Sequence, residues 1–248
     1  MRIELMGVPI DGVTRAEAAA RVETLLDEPR DHFVTTPNPE MLVQASKDAR
    51  FQAALHRADL AVPDGVGLLY VARLKGMRLP QRITGTDFIE DIAAIAAKRR
   101  LGVYLLGGRG DVAEDAAKML LKRHPGLAVV GAESGGEVYV DADGEPSVAP
   151  EVEARIREAA PAILFVAFGH GVQERWITAR SASFPSVRLA MGVGGAFDFI
   201  AGEVRRAPEF LRKTGLEWLW RLYLQPWRLR RIWTAVAVFP YLALRRKD

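Results

Sequence analysis

At 248 residues, 49% of them hydrophobic, the chain can bury the core of one α/β domain with an appendage and needs no second catalytic domain. It contains no cysteine, which excludes a disulfide framework, a thiolate metal site and a cysteine nucleophile, and fits a reducing compartment such as the cytosol. The formal charge of +3 hides an asymmetry: residues 201–248 carry eleven Lys or Arg against four Asp or Glu, a net +7, which leaves −4 for the rest.

In chain order, the first eight residues place Glu4 and Gly7 where a secretory signal needs an unbroken apolar run, so export by that route is not expected. Short apolar runs predict strands at Ile3–Ile10, His32–Thr36, Leu60–Val62, Val103–Leu106, Ala128–Gly131, Ala162–Ala167 and Arg188–Gly192. Helices are expected between them. Thr14 and Glu17 form a capping box for Arg15–Leu26, and Asn38 before Pro39 marks a second start. Further helices are predicted over Asp87–Arg100, Asp111–His124, Glu151–Ala159 and Gln173–Ser181. Tyr139–Pro150, rich in Asp, Gly and Pro, reads as an exposed loop. The alternation predicts an α/β class, a Rossmann-like parallel sheet flanked by helices, over residues 1–200.

Residues 201–248 read as a helical appendage that associates with a membrane. They hold four of the five tryptophans, Trp218, Trp220, Trp227 and Trp233, interleaved with arginines. Pro208 can open a helix through Leu224, and Pro226 another in which Leu229, Ile232, Trp233 and Val236 form an apolar stripe. Indoles favour interfaces and arginines favour phosphates, so an anionic bilayer or a polyphosphate is the expected partner, against the alternative of a helical pair packed on the core. Ile232–Leu244 is too short to cross a bilayer, which takes about 20 residues. Nucleic acid is not expected, since no recognisable nucleic-acid module precedes the basic end.

Ligands of an open α/β sheet sit beyond the carboxyl ends of its strands, and five loops lie there. Thr36 and Asn38 offer hydrogen-bonding side chains beside a helix start, although Asn38 can equally be a simple cap. Asp64, in Pro63-Asp64-Gly65-Val66-Gly67, is either a general base or part of a Pro-Asp-Gly turn. Gly107 and Gly108, in a Gly-Gly-Arg-Gly turn, resemble a phosphate cradle without the full spacing of a dinucleotide or P-loop site. Gln173 can hydrogen-bond a base or hydroxyl and Asp198 a sugar diol, and each can also be a helix cap. The four histidines show no ligand spacing and read as structural or solvated. Asp141-Ala142-Asp143 has the form of a metal-binding nucleotide-sugar motif but lies in a Pro-rich loop and reads as a turn. No Gly-x-Ser-x-Gly elbow is present, which disfavours a serine hydrolase.

Taken in order, Thr36-Pro37-Asn38-Pro39-Glu40, Pro63-Asp64-Gly65-Val66-Gly67, Arg82-Ile83-Thr84-Gly85-Thr86-Asp87, Gln173-Glu174, Gly192 to Asp198 and Gly215-Leu216-Glu217-Trp218 resemble the WecG/TagA/CpsF glycosyltransferases. The resemblance covers nearly the whole chain. It implies an inverting enzyme, without metal or cofactor, that moves a sugar from a UDP-sugar to an undecaprenyl-diphosphate-linked saccharide at the cytoplasmic face of the membrane. Asp64 matches the presumed base. Thr36, Asn38 and Gln173 match substrate positions, Arg82 and the helix start near Gly194 are candidates to stabilise the leaving diphosphate, and Gly107, Gly108 and Asp198 are further substrate candidates. Arg221, Arg228 and Arg231 match the arginines that the appendage brings to the lipid diphosphate. Two positions depart from the family pattern: Gln225 replaces Glu before Pro226, and Gly171 replaces a common proline. Off the membrane, an amphipathic tail can also bury itself against a second copy, giving a homo-oligomer. Two other readings stay open at this level, a metal-dependent transferase using Asp141 and Asp143 and a non-catalytic nucleotide-binding protein at a membrane surface.

Overall fold

The computed structural model describes residues 1–246; Lys247 and Asp248, counted in the basic tail, and the Lys213 side chain lie outside the description. Strands β1 (Arg2–Leu5) and β2 (Val8–Asp11) form an antiparallel hairpin in which Leu5 faces Val8. A single strand over Ile3–Ile10 is therefore not formed. Met6 and Gly7 both take positive φ (55° and 75°), the backbone of a tight two-residue turn, and the surrounding apolar residues mask that turn in the sequence.

The remaining strands are β3 (His32–Thr35), β4 (Leu60–Ala61), β5 (Gly102–Gly107), β6 (Ala128–Glu133), the short hairpin pair β7 (Tyr139–Val140) and β8 (Pro146–Ser147), β9 (Ile163–Ala167) and β10 (Leu189–Gly192). Six of them make one parallel sheet in the order β4-β3-β10-β9-β5-β6. The expected α/β architecture is thus present. Tyr139–Pro150 is not wholly exposed, because the β7–β8 hairpin buries Pro146, Ser147 and Val148.

Helices α1 (Arg15–Leu25), α2 (Pro39–Ala45), α3 (Ala49–His56), α4 (Val66–Leu74), α5 (Gly85–Arg99), α6 (Val112–Arg123), α7 (Pro150–Ala159), α8 (Val172–Arg180) and α9 (Ala196–Ala201) cover the sheet and its edges. The capping box of Thr14 and Glu17 opens α1, and Asn38 caps α2 by accepting the Met41 amide at 3.1 Å. Helices α3, α4 and α9 are not foreseen in the sequence, being short and, in α4, apolar along most of its length.

The tail forms α10 (Glu209–Lys213), α11 (Glu217–Leu224) and then a run from Pro226 to Arg245 containing α12 (Leu229–Trp233) and α13 (Phe239–Arg245). One helix from Pro208 to Leu224 does not occur. Gly215 breaks it at φ +76°, where a Cβ would stand 3.0 Å from Val66, so the break lets the tail backbone close on the start of α4. Between α12 and α13 the helix widens into a π turn at Thr234–Val238, which accommodates Pro240 and its missing N–H.

The expected apolar stripe is only partly used. Ile232 is buried, but Leu229, Trp233 and Val236 are exposed, and the tail's anchors are instead Phe239 and Ala243, both fully buried. These two join the β1–β2 hairpin, α2, α3 and α4 in one apolar cluster. Lys75 strengthens the joint by donating to the Ala243 and Arg246 carbonyls at 3.1 and 2.7 Å. Phe239→Ala is accordingly expected to cost about 3–5 kcal/mol, read as a lower denaturant midpoint, because it empties a closed site. A midpoint that does not move would mean that the tail does not contribute to this core.

Candidate active site

The loops after β3, β4, β9 and β10 converge at one end of the sheet, and the tail closes over them. Asp64 lies in the loop that leaves β4. Its amide donates to the Pro37 carbonyl at 2.8 Å, and the preceding Pro63 carbonyl accepts the Ile83 amide at 2.9 Å, so the carboxylate is held between two neighbouring segments. Gly65 turns the chain at φ +139°, where a Cβ would fall 2.8 Å from the Pro39 ring. The Gly85 amide, at the start of α5, faces Asp64 Oδ2 at 3.3 Å.

Enclosure raises the Asp64 pKa to about 6; Arg82, the Gly85 amide and Arg221 pull it down, and Glu217 pushes it up. Among the described residues, Asp64 makes no ion pair. The other two carboxylates of the same cavity are both taken: Glu217 by Arg82 at 2.7 Å and Glu40 by Arg231 at 2.6 Å.

Two adjoining cavities meet at this carboxylate. One, of about 460 Å³, is largely apolar and runs between α4 and the tail past Tyr70, Val71, Leu74, Trp218, Ile232, Val236 and Pro240. The other, of about 260 Å³, is polar and is lined by Thr36, Gly85, Gly169, His170, Gln173, Gly194 and Gly195. Asn38, Asp64, Thr86, Phe199, Arg221, Arg228 and Arg231 belong to both walls. An anionic group at that junction would touch an apolar chain on one side and a polar group on the other.

The three arginines come from α11 and the helix after it. Arg221 stacks over the Phe199 ring at 4.7 Å, and its Nε is buried without a partner; burial lowers its pKa. Arg228 likewise has a buried Nε without a partner, and burial followed by the like charges of Arg221 and Arg231 brings it down to about 10. Arg231 pairs with Glu40 and approaches His170 Nδ1 at 3.4 Å. Desolvated like charges with unused donors cost stability unless an anion joins them, and a fork of guanidinium donors suits a phosphate.

Of the sequence-derived candidates, Thr36, Asn38, Asp64, Arg82, Gln173, Gly194 and the three arginines are brought together. Asn38 serves both readings, as a cap for α2 and as part of the wall. Gln173 spends most of its amide internally: Oε1 accepts the Gly194 amide at 2.9 Å, and Nε2 donates to Glu174 Oε1 at 2.7 Å. Glu174 is fully buried, accepts the Gly171 amide, and is pushed up by burial to about 7. Gly171 takes φ +87°, which the proline common in the family at this position cannot adopt.

Gly107, Gly108 and Asp198 line neither cavity. The glycines follow β5, which lies beyond β9 from the converging loops, and Gly107 packs directly on the Ala167 backbone. Asp141 and Asp143 also lie elsewhere. Asp141 accepts the amides of Asp143 and Glu145 and pairs with Arg180, which is the bonding of a turn. Among the described residues no group of three or more metal-ligating side chains gathers. Sequence reasoning missed Glu40, Thr86, Phe199 and Glu217 as wall residues, and His170, read as structural or solvated, faces the polar cavity instead.

Comparison with known proteins gives a consistent result. The family model described as the glycosyl transferase WecG/TagA/CpsF family matches residues 3–248. A protein of Bacillus subtilis named N-acetylglucosaminyldiphosphoundecaprenol N-acetyl-beta-D-mannosaminyltransferase is 31% identical over 84% of this chain and 77% of its own length. Proteins of the same name are 34% identical over those shares in Bacillus spizizenii, and 28% identical over 99% of this chain and 93% of their own in Staphylococcus aureus.

Proposed function

This chain belongs to the WecG/TagA/CpsF glycosyltransferase family, and from that premise we propose that it moves a sugar from a UDP-sugar to an undecaprenyl-diphosphate-linked saccharide, with inversion and without a metal. The observation that carries the reading is the position of Asp64, a carboxylate free of ion pairs among the described residues, at the junction of a polar and an apolar cavity beside three arginines. In this reading the UDP-sugar occupies the polar cavity. The acceptor diphosphate lies among Arg221, Arg228 and Arg231, and its polyprenyl chain follows the apolar cavity outward.

Asp64 takes the proton of the acceptor hydroxyl as that oxygen attacks the anomeric carbon, and UDP leaves from the opposite face. One base and one displacement give inversion. Charge accumulating on the departing diphosphate is met by arginine donors and by backbone amides at the Gly194 loop, so the scheme calls on no metal. Thr36 and Asn38 orient the bound sugars, and Gln173 acts through its hold on Gly194. N-acetylmannosaminyl transfer, for which the relatives are named, is the first donor to try.

The apolar cavity opens where Tyr70 and Leu74 of α4 stand exposed, and Tyr223, Trp227 and Trp233 of the tail are also exposed. No helix among the described residues is long and apolar enough to cross a membrane. We place this face on the cytoplasmic leaflet, where exposed aromatic rings and arginines suit an anionic interface. The test is UDP release from a panel of UDP-sugars with a polyprenyl-diphosphate-linked N-acetylglucosamine acceptor, with and without EDTA. Transfer that persists in EDTA supports the scheme. Transfer that needs added divalent ion overturns its metal-free part, and no transfer with any donor overturns the assignment.

A further inference from the structure

We propose that Glu217, carried by the tail, is a positioning residue for catalysis: by holding Arg82 in an ion pair it keeps that cation from pairing with the Asp64 carboxylate. The inference rests on Asp64 as the base and adds a role for a residue that does not itself move a proton.

Arg82 belongs to the segment before α5, and Glu217 is the first residue of α11. Their side chains meet at 2.7 Å and are only 18% and 20% exposed, so solvent screens the pair little. Both line the cavity that contains Asp64. Arg82 thus shares a cavity with Asp64 and Glu217 and bonds the one from the tail. Were it to close on Asp64, a bidentate pair would hold that carboxylate ionised and weakly basic.

The charged and titratable groups around the base enter this balance, His170 of the polar cavity among them, its pKa held low by burial and by Arg231. Arg82 comes from the segment before α5, Glu217 and Arg221 from α11, Arg228 and Arg231 from the following helix, and Glu40 from the start of α2. Glu40 is occupied by Arg231, so Glu217 is the acid placed to occupy Arg82. Its negative charge also opposes ionisation of Asp64, in the same direction as enclosure. Without Glu217, Arg82 would be free to turn to Asp64 and make the base weaker.

The test compares kcat/KM against pH for the full chain and for Glu217→Gln, Glu217→Asp, Asp64→Asn and the double variant Glu217→Gln with Arg82→Gln. Glu217→Gln should displace the acid limb to lower pH by about one unit, the effect of altering one neighbouring charge. Glu217→Asp should keep the limb near its original place. Removing Arg82 as well should reverse the displacement, because the freed cation is then absent. A limb that stays put in Glu217→Gln while the plateau falls would show that Glu217 only packs the tail. A displacement that persists undiminished in the double variant would show that it does not act through Arg82. Should Glu217→Gln fail to fold, Arg82→Gln alone must move the limb to higher pH, and no movement there overturns the proposal. Asp64→Asn separates the two claims: if that variant keeps full turnover, the base assignment fails whatever Glu217 does.

Discussion

Asp64→Asn is expected to lower sugar transfer by about 10²–10⁴-fold, the range for loss of a general base, while the protein remains folded. Asparagine keeps the shape of the side chain and can still accept the Gly85 amide, but it cannot take the hydroxyl proton. The wild-type pH profile carries the same signature. Asp64 must be ionised to act, so kcat/KM should fall as pH drops through about 6, rather than near the value of about 4 for an exposed aspartate. Bound diphosphate adds negative charge beside the carboxylate, so the limb in kcat should lie at higher pH than the limb in kcat/KM.

The stability consequence has the opposite sense from that of a salt-bridged acid. A carboxyl whose pKa is higher folded than unfolded contributes stability that is full below 3.8 and is lost as pH rises through about 6. Glu174 does the same between 4.5 and about 7. Thermal midpoints should therefore decline between about pH 4 and 7 on account of these two groups, and Asp64→Asn should remove its share of the decline below about 6. Turnover near the wild-type level in this variant, or a limb near pH 4, would sink the assignment of Asp64.

Much of the site is legible in the sequence because its parts sit at strand ends. The runs before Thr36, Pro63 and Gly192 read as buried strands, and residues directly after such strands in a parallel sheet converge on one edge. Sheet order is harder to read. Gly107 and Gly108 have the local grammar of a phosphate turn, but β5 stands on the far side of β9, a matter of strand order that no short window carries. Glu217 and Phe199 escape for a related reason: their roles depend on where the tail folds back, 135 residues from Arg82 in the case of Glu217. The tail's amphipathic stripe does not reveal its anchors, because Leu229, Trp233 and Val236 face outward, as a membrane-facing stripe would, while Phe239 and Ala243 beyond it are buried. Periodicity ranks faces by composition, whereas burial here follows the turn at Gly215 and the π widening before Pro240.

Arg228→Ala and Arg221→Ala should each lower kcat/KM for a diphosphate-linked acceptor by about 10²–10³-fold, the usual cost of one donor to a developing or bound oxyanion in an enclosed site. Each has a buried Nε without a partner among the described residues, and the two repel one another. Removing Arg228 should therefore leave the thermal midpoint unchanged or raise it, since its charge is desolvated beside like charges, whereas removing Arg221 also loses its stacking on Phe199 and its attraction to Asp64 and Glu217. Arg231→Ala differs, because it strands Glu40 and so should lower stability as well as activity. Lysine should restore charge but only part of the rate, having no planar fork to span two phosphate oxygens. The acceptor provides the control: with the saccharide on a lipid monophosphate, the penalty for Arg228→Ala should shrink, because part of its partner is already gone. If the alanine variants instead lose stability and keep their kcat/KM, the arginines are packing elements and the diphosphate must bind elsewhere. If activity falls equally for mono- and diphosphate acceptors, they serve the donor's diphosphate, and the polar cavity would be the place to look for its phosphates.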